Sequence, residues 1–204
     1  MDIKKQSILL RPAQPDFGEG LQFAQYLDQA AEGFFRFMLG PESESIIATA
    51  FIDSGHALSY ENVIFAEVET KIVGMSSTFT EKQQRMFSDE PLRRAAKKNA
   101  IRLKLVQTLF APVWRILETI PEGDFYLQGI AIKPELRGVG IGSLLMNDIE
   151  NRAKASGSVR LSLDVSTNND GARRLYKRLG MVESSTWPNS RFLPTVLIRM
   201  AKYL

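Results

Sequence analysis

The chain has no cysteine, which excludes disulfides, thiolate metal sites and a cysteine nucleophile. It has one histidine, His56, so a histidine-rich metal site is excluded as well. A serine–histidine dyad would have to use His56, and no nucleophile-elbow sequence accompanies it. No apolar stretch approaches the roughly 20 residues needed to span a bilayer. The opening MDIKKQSILLRPAQPD has only a short apolar run before Arg11, too short for a signal peptide. The expectation is a soluble, cytoplasmic protein with no metal and no membrane partner.

Net charge is also small. The net charge is +3 and the pI about 9.2, which suits an anionic ligand but is too weak to argue for nucleic acid. The 204 residues, 44% hydrophobic and 24% charged, suit one soluble globular domain able to bury a full core without staples.

Periodicity sketches the order of elements. SILLR (7–11) reads as a short strand. Residues 19–38 carry one helical pattern, closed by Gly40-Pro41. A second helix runs from Ser43 to about residue 53, and residues 62–80 read as a hairpin turning at Glu69-Thr70-Lys71. Residues 81–122 form a mainly helical, basic insertion. Leu92, Ala95, Ala96, Leu103, Val106, Leu109 and Phe110 offer an apolar face, and Arg93, Arg94, Lys97, Lys98, Arg102 and Lys104 supply the rest. It reads either as a helix with a solvated basic face or as a lid, dimer surface or acidic-partner patch.

From residue 124 the pattern is regular: strand DFYLQGIAI, helix 140–155, strand 159–165, helix 169–179, and closing strands at 181–186 and 192–200. The expected total is about seven strands and four or five helices in one mixed α/β domain.

Between the strand at 124–132 and the helix at 140–155 lies KPELRGVGIG, with glycines at 138, 140 and 142. A helix that follows a strand directly presents its free N–H groups and the positive end of its dipole. Glycines let a phosphate approach that backbone closely, and Arg137 adds a full charge. A plain tight turn would need one glycine; three together with Arg137 suggest a site for a phosphate or pyrophosphate. A Walker loop fails, because Gly142 is followed by Ser143-Leu144. A G-x-G-x-x-G fingerprint fails too, since the sixth position from Gly138 is Ser143, although Asp164 sits where a ribose-binding acid could lie.

Arg137-x-x-Gly140-x-Gly142 after a strand resembles the acyl-CoA pyrophosphate loop of the GNAT superfamily of N-acetyltransferases. LDVSTNNDGARRLYKRLGM (163–181) resembles that family's second signature, with Met181 in place of the usual aromatic. The likeness is strongest over residues 124–181, and the insertion at 81–122 is longer than the family's usual connection.

The resemblance implies a GNAT-like fold and an acetyl-CoA-dependent N-acyltransferase that moves the acetyl group directly to a primary amine. It implies that Ile130, Ala131 and Ile132 bind the pantetheine arm and polarise the thioester through their backbone. Arg137, Gly138, Gly140, Gly142 and Ser143 would hold the pyrophosphate. Asn169 would bind pantetheine, though an asparagine there also suits a helix N-cap. Tyr176 would be the general acid, starting protonated at neutral pH; the position also fits a core tyrosine.

Asp164 is the candidate base, with an ordinary turn aspartate, a water chain or Glu61 as alternatives. Trp187, Arg191 and the Phe34-Phe35-Phe37 cluster are acceptor-site candidates. Small amines, aminoglycosides, amino acids and protein N-termini all stay open as acceptors, as does a homodimer. The competing readings are a non-catalytic acyl-CoA-binding or sensing module on the same fold, and a nucleotide-dependent oxidoreductase.

Overall fold

A computed structural model of the chain describes residues 8–109, 119–188 and 195–204. Its seven strands are β1 (Leu9–Pro12), β2 (Val63–Val68), β3 (Lys71–Thr80), β4 (Asp124–Ile132), β5 (Arg160–Ser166), β6 (Val182–Trp187) and β7 (Leu197–Tyr203). They form one sheet in the order β1-β2-β3-β4-β5-β7-β6. β2 and β3 join through Glu69-Thr70, both at positive φ, as a two-residue hairpin turn of the twist-matching kind requires.

The described helices are α1 (Phe17–Ala30), α2 (Phe34–Leu39), α3 (Ser43–Phe51), α4 (Glu81–Met86), α5 (Glu90–Ala96), α6 (Ala100–Leu109), α7 (Ile141–Ala155) and α8 (Asp170–Arg178). This exceeds the four or five expected, for two reasons. The described part of the insertion, 81–109, breaks into three short helices. The single helix expected over 19–38 also breaks, because Glu32 and Gly33 adopt φ of +53° and +85° and turn the chain between α1 and α2. Asp28 secures the break: its side chain accepts from the main-chain N–H of Arg36 at 2.9 Å.

The sheet is covered on both faces. On one, α1, α2 and α3 pack with α5 and α6 over Phe65, Met75 and Ala131. Gly20 lets α1 and α3 approach closely; a Cβ there would lie 2.8 Å from the Ala48 Cα. Ala96, Leu103 and Val106 bury into this core, so the insertion packs by the apolar face read from its sequence. Phe110 and the side chain of Leu109 lie outside the described residues. On the opposite face, α7 and α8 pack over Leu127, Leu161, Leu163 and Val165. Among the described residues no helix is long and apolar enough to cross a membrane.

Two features of the middle strands matter most. First, β4 carries a bulge: Ser77 pairs with Gly129 and Thr78 with Leu127, leaving Gln128 extra. The bulge changes the side-chain alternation, so Tyr126 and Ala131 share the α1 face while Leu127 and Ile130 face α7. Second, β4 and β5 are parallel and pair only at Asp124↔Arg160, Phe125↔Leu161 and Tyr126↔Ser162. Beyond those rungs β4 stays with β3 and β5 stays with β7. The sheet therefore forks.

Candidate functional site

A cleft of about 1360 Å³ passes through the fork. The eleven leading catalytic and cofactor-binding candidates from the sequence all line it: Ile130, Ala131, Ile132, Arg137, Gly138, Gly140, Gly142, Ser143, Asp164, Asn169 and Tyr176. Four separate elements bring them together.

The glycine corner lies at the α7 end. Gly138 and Gly140 have φ of +82° and +98°, and a Cβ on either would meet nothing within 4 Å. The glycines thus answer to backbone conformation and leave open space above it. Gly142 is different, since a Cβ there would press on Ile132 Cδ1 at 3.1 Å. Gly140 is the N-cap of α7 and no side chain caps the helix. The first intrahelical bond runs from Leu144 N–H to the Gly140 carbonyl at 3.1 Å, which leaves the N–H groups of Ile141, Gly142 and Ser143 without helical partners. Arg137 stands exposed at the rim. This corner fits a diphosphate: free donors, a helix dipole, an arginine and no side chains in the way.

Along the fork, the β5-facing edge of β4 has no strand partner beyond Tyr126. An extended amide-bearing arm fits that edge as an added strand would, by hydrogen bonds to the main chain. Asn169 lies across from it. Its Oδ1 accepts from Ala172 N–H at 3.0 Å, the N-cap arrangement, and its Nδ2 donates to Glu32 at 2.8 Å. That second bond ties the α1–α2 turn to the start of α8.

Tyr176 is 8% exposed and belongs to the core under α7 and α8 while also lining the cleft. Burial pushes its phenol up to about 12. Its hydroxyl has no hydrogen-bond partner among the described residues. It is a protonated donor facing a cavity.

Asp164 sits on the other face, and its setting differs from the one expected for a base. Arg199 on β7 grips it with Nε–Oδ1 at 3.0 Å and Nη2–Oδ2 at 2.7 Å, and the Tyr126 hydroxyl donates to Oδ2 at 3.0 Å. The side chains of Arg199 and Asp164 are 9% and 3% exposed. Both oxygens of this carboxylate are engaged, which suits an anchor rather than a proton collector. Glu61 lies elsewhere, bonded to the Gly55 N–H at 3.0 Å and absent from the described lining of the cleft.

Sequence reasoning missed Arg199, Tyr126 and Glu32. The signal for Arg199 was present: a lone arginine in the apolar run VLIRMA demands a buried partner, and Asp164 is another charge in an alternating strand. Trp187 lines the cleft, as do Phe34, Phe35 and Phe37; Arg191 lies outside the described residues.

His56 also lines the cleft, deeply buried. Its Nε2 meets the Ala50 carbonyl at 2.9 Å and its Nδ1 the Leu58 N–H at 3.3 Å, which is the pattern of a neutral ring with Nε2 protonated. Burial lowers its pKa against the opposing pull of the Ala50 carbonyl and of the Asp53 carbonyl, which Nε2 also meets at 3.1 Å.

The model of the Acetyltransferase (GNAT) family matches residues 23–181. A Bacillus subtilis (strain 168) protein provisionally named a ribosomal protein bS18-alanine N-acetyltransferase is 35% identical over 72 residues, 35% of this chain and 44% of that one. The thialysine N-epsilon-acetyltransferase of Bos taurus is 39% identical over 72 residues, 34% of this chain and 42% of that one. The match thus spans under half the length of these curated relatives. An N-acetyltransferase structure from Staphylococcus aureus Mu50 superposes with a TM-score of 0.69 at 16% identity, covering 95% of this chain and 100% of that one, a likeness of fold. Forked sheet, glycine corner and a family match running through most of its length agree: the chain belongs to the GNAT acetyltransferase family.

Proposed function

We propose that the chain transfers an acetyl group from acetyl-CoA to a primary amine by direct attack. The observation that carries this reading is the shared cleft: the glycine corner, the unpaired edge of β4 and the Tyr176 phenol all line one passage through the sheet. The donor supplies an acyl group on a thiol leaving group. Backbone N–H groups at 138–143 and Arg137 bind its diphosphate, and the edge of Ile130, Ala131 and Ile132 holds its arm and polarises the thioester carbonyl. Asn169 contributes the second N–H of its amide, the first staying with Glu32. The amine forms the new C–N bond as the C–S bond breaks. Tyr176 gives its proton to the departing sulfur, and the amine's proton leaves to water in the cleft. Asp164 takes part as the anchor of Arg199 and Tyr126 beside the fork.

Release of free CoA thiol, followed with a panel of amines, tests the reading. Turnover that falls with Tyr176→Phe while acetyl-CoA affinity stays is the expected result. Tight acetyl-CoA binding with no release from any amine would instead favour a sensing module. Stabilisation by NAD and not by acetyl-CoA would overturn the family's chemistry for this chain.

A further inference from the structure

The cleft has a second half, on the α1 face of the sheet, and its lining is specific. Phe34, Phe35 and Met38 come from α2, immediately after the break at Glu32-Gly33. Leu58, Phe79 and Leu92 come from the α3–β2 loop, β3 and the inserted α5. Phe34 and Phe35 stand edge to face with centroids 5.9 Å apart.

Most polar groups inside this half are already paired; Gln128 accepts from the Ser77 hydroxyl at 2.8 Å and keeps its amide N–H groups for a ligand. Both His56 nitrogens meet main-chain atoms, and the Tyr126 hydroxyl is given to Asp164. Asp164 is held by Arg199 and Glu32 by Asn169. Untied polarity gathers at the mouth, where Asp89 on the insertion is exposed and its carboxylate has no partner among the described residues. No lysine is among the described lining residues, and its arginines, Arg137 and Arg178, belong to the glycine corner and α8.

We propose, resting on the acetyl-transfer reading above, that the acceptor is a primary amine carried on an apolar body of about aromatic size. An amine with many hydroxyl or amide groups would leave them unpaired against Phe34, Phe35 and Leu92, and each such group costs on the order of 1–3 kcal/mol. An apolar body fills the lobe without that cost. The same surroundings disfavour an ammonium and favour the neutral amine, the form that attacks. At the mouth, Asp89 draws the incoming cation and no lysine repels it. The insertion thereby acquires a role: through Leu92 and Asp89 it walls the acceptor side of the cleft.

The test compares kcat/KM for 2-phenylethylamine, spermidine and an alanine-starting tetrapeptide with acetyl-CoA held saturating. The expected result is a preference of at least about tenfold for 2-phenylethylamine, equivalent to about 1.4 kcal/mol. Leu92→Gln should raise its KM about tenfold and leave the KM for acetyl-CoA unchanged. Should Leu92→Gln fail to fold, Phe37→Ser serves, because Phe37 lines the cleft yet is 51% exposed. A preference for spermidine or the tetrapeptide, or no response to either variant, overturns the substrate class while acetyl transfer stands. Absence of CoA release with every amine overturns the acetyl-transfer reading, and this inference with it.

Discussion

The Tyr126 hydroxyl donates to Asp164 at 3.0 Å across the point where β4 and β5 part. Tyr126 forms the last rung of that pair, with Ser162, and Asp164 lies two residues further along the diverging strand. Arg199 completes the arrangement from β7 and also donates to the Thr119 carbonyl at 2.5 Å, so the end of the insertion is fastened to the same anchor. The base of the fork is thus held by a buried ion pair with its polar atoms satisfied. Removing one partner leaves the other charge buried and unpaired, so Arg199→Met should destabilise the fold by about 3–5 kcal/mol. Tyr126→Phe removes one hydrogen bond and leaves the ion pair, so it should cost about 1 kcal/mol. Urea midpoints of the two variants check the order; equal losses would contradict the anchor.

Burial holds the Tyr176 phenol near 12, which sets the alkaline behaviour of a Tyr176-dependent step. A raised pKa keeps the donor protonated to higher pH, so Tyr176 should impose no fall in kcat up to about pH 10. Tyr176→Phe should lower kcat about 100-fold across that range. The pH profiles of the two proteins decide it. An alkaline limb near pH 9 that vanishes in Tyr176→Phe would show the phenol ionising where burial forbids it.

Much of this site was legible because it is local. The glycine corner, α7, β5 and α8 follow from dipole, glycine spacing and apolar periodicity within about 60 residues. What could not be read depends on distance or competition. Helix-forming residues run unbroken through Ala30-Ala31-Glu32, and only the left-handed turn at Glu32-Gly33 divides α1 from α2 and swings three phenylalanines towards the cleft. The fork is a pairing that stops after three rungs, and no residue in β4 or β5 announces the stop. Asp164 reads as a free acid in its own strand; Arg199, 35 residues on, occupies it.

The corner makes a prediction that separates local strain from ligand binding. Gly140→Ala forces a side chain to φ of +98° and should cost roughly 1–3 kcal/mol of stability. It should also weaken CoA binding at least about tenfold, read by calorimetric titration. Gly157 provides the control, because it has φ of +73°, equal open space and a position after the far end of α7. Gly157→Ala should show comparable strain with unchanged CoA affinity. Equal loss of affinity in both would reduce the corner to a strained turn.

His56 links stability to pH with a sign that follows from its surroundings. Its ring is buried neutral, and burial lowers its pKa below the ordinary 6.5. Above pH 6.5 the ring is neutral in both folded and unfolded chains and the linkage is silent. Below it the unfolded chain takes up a proton that the folded chain refuses, so unfolding binds protons and stability falls as pH drops from about 6.5. Because the chain has a single histidine, the effect is assignable. The one imidazole Hε1 resonance should titrate below pH 6.5 in the folded protein and at about 6.5 in urea. The urea midpoint should decline over the same interval. A folded-state midpoint at or above 6.5 would mean that the ring accepts a proton in place, and that the Leu58 N–H to Nδ1 contact gives way to let it.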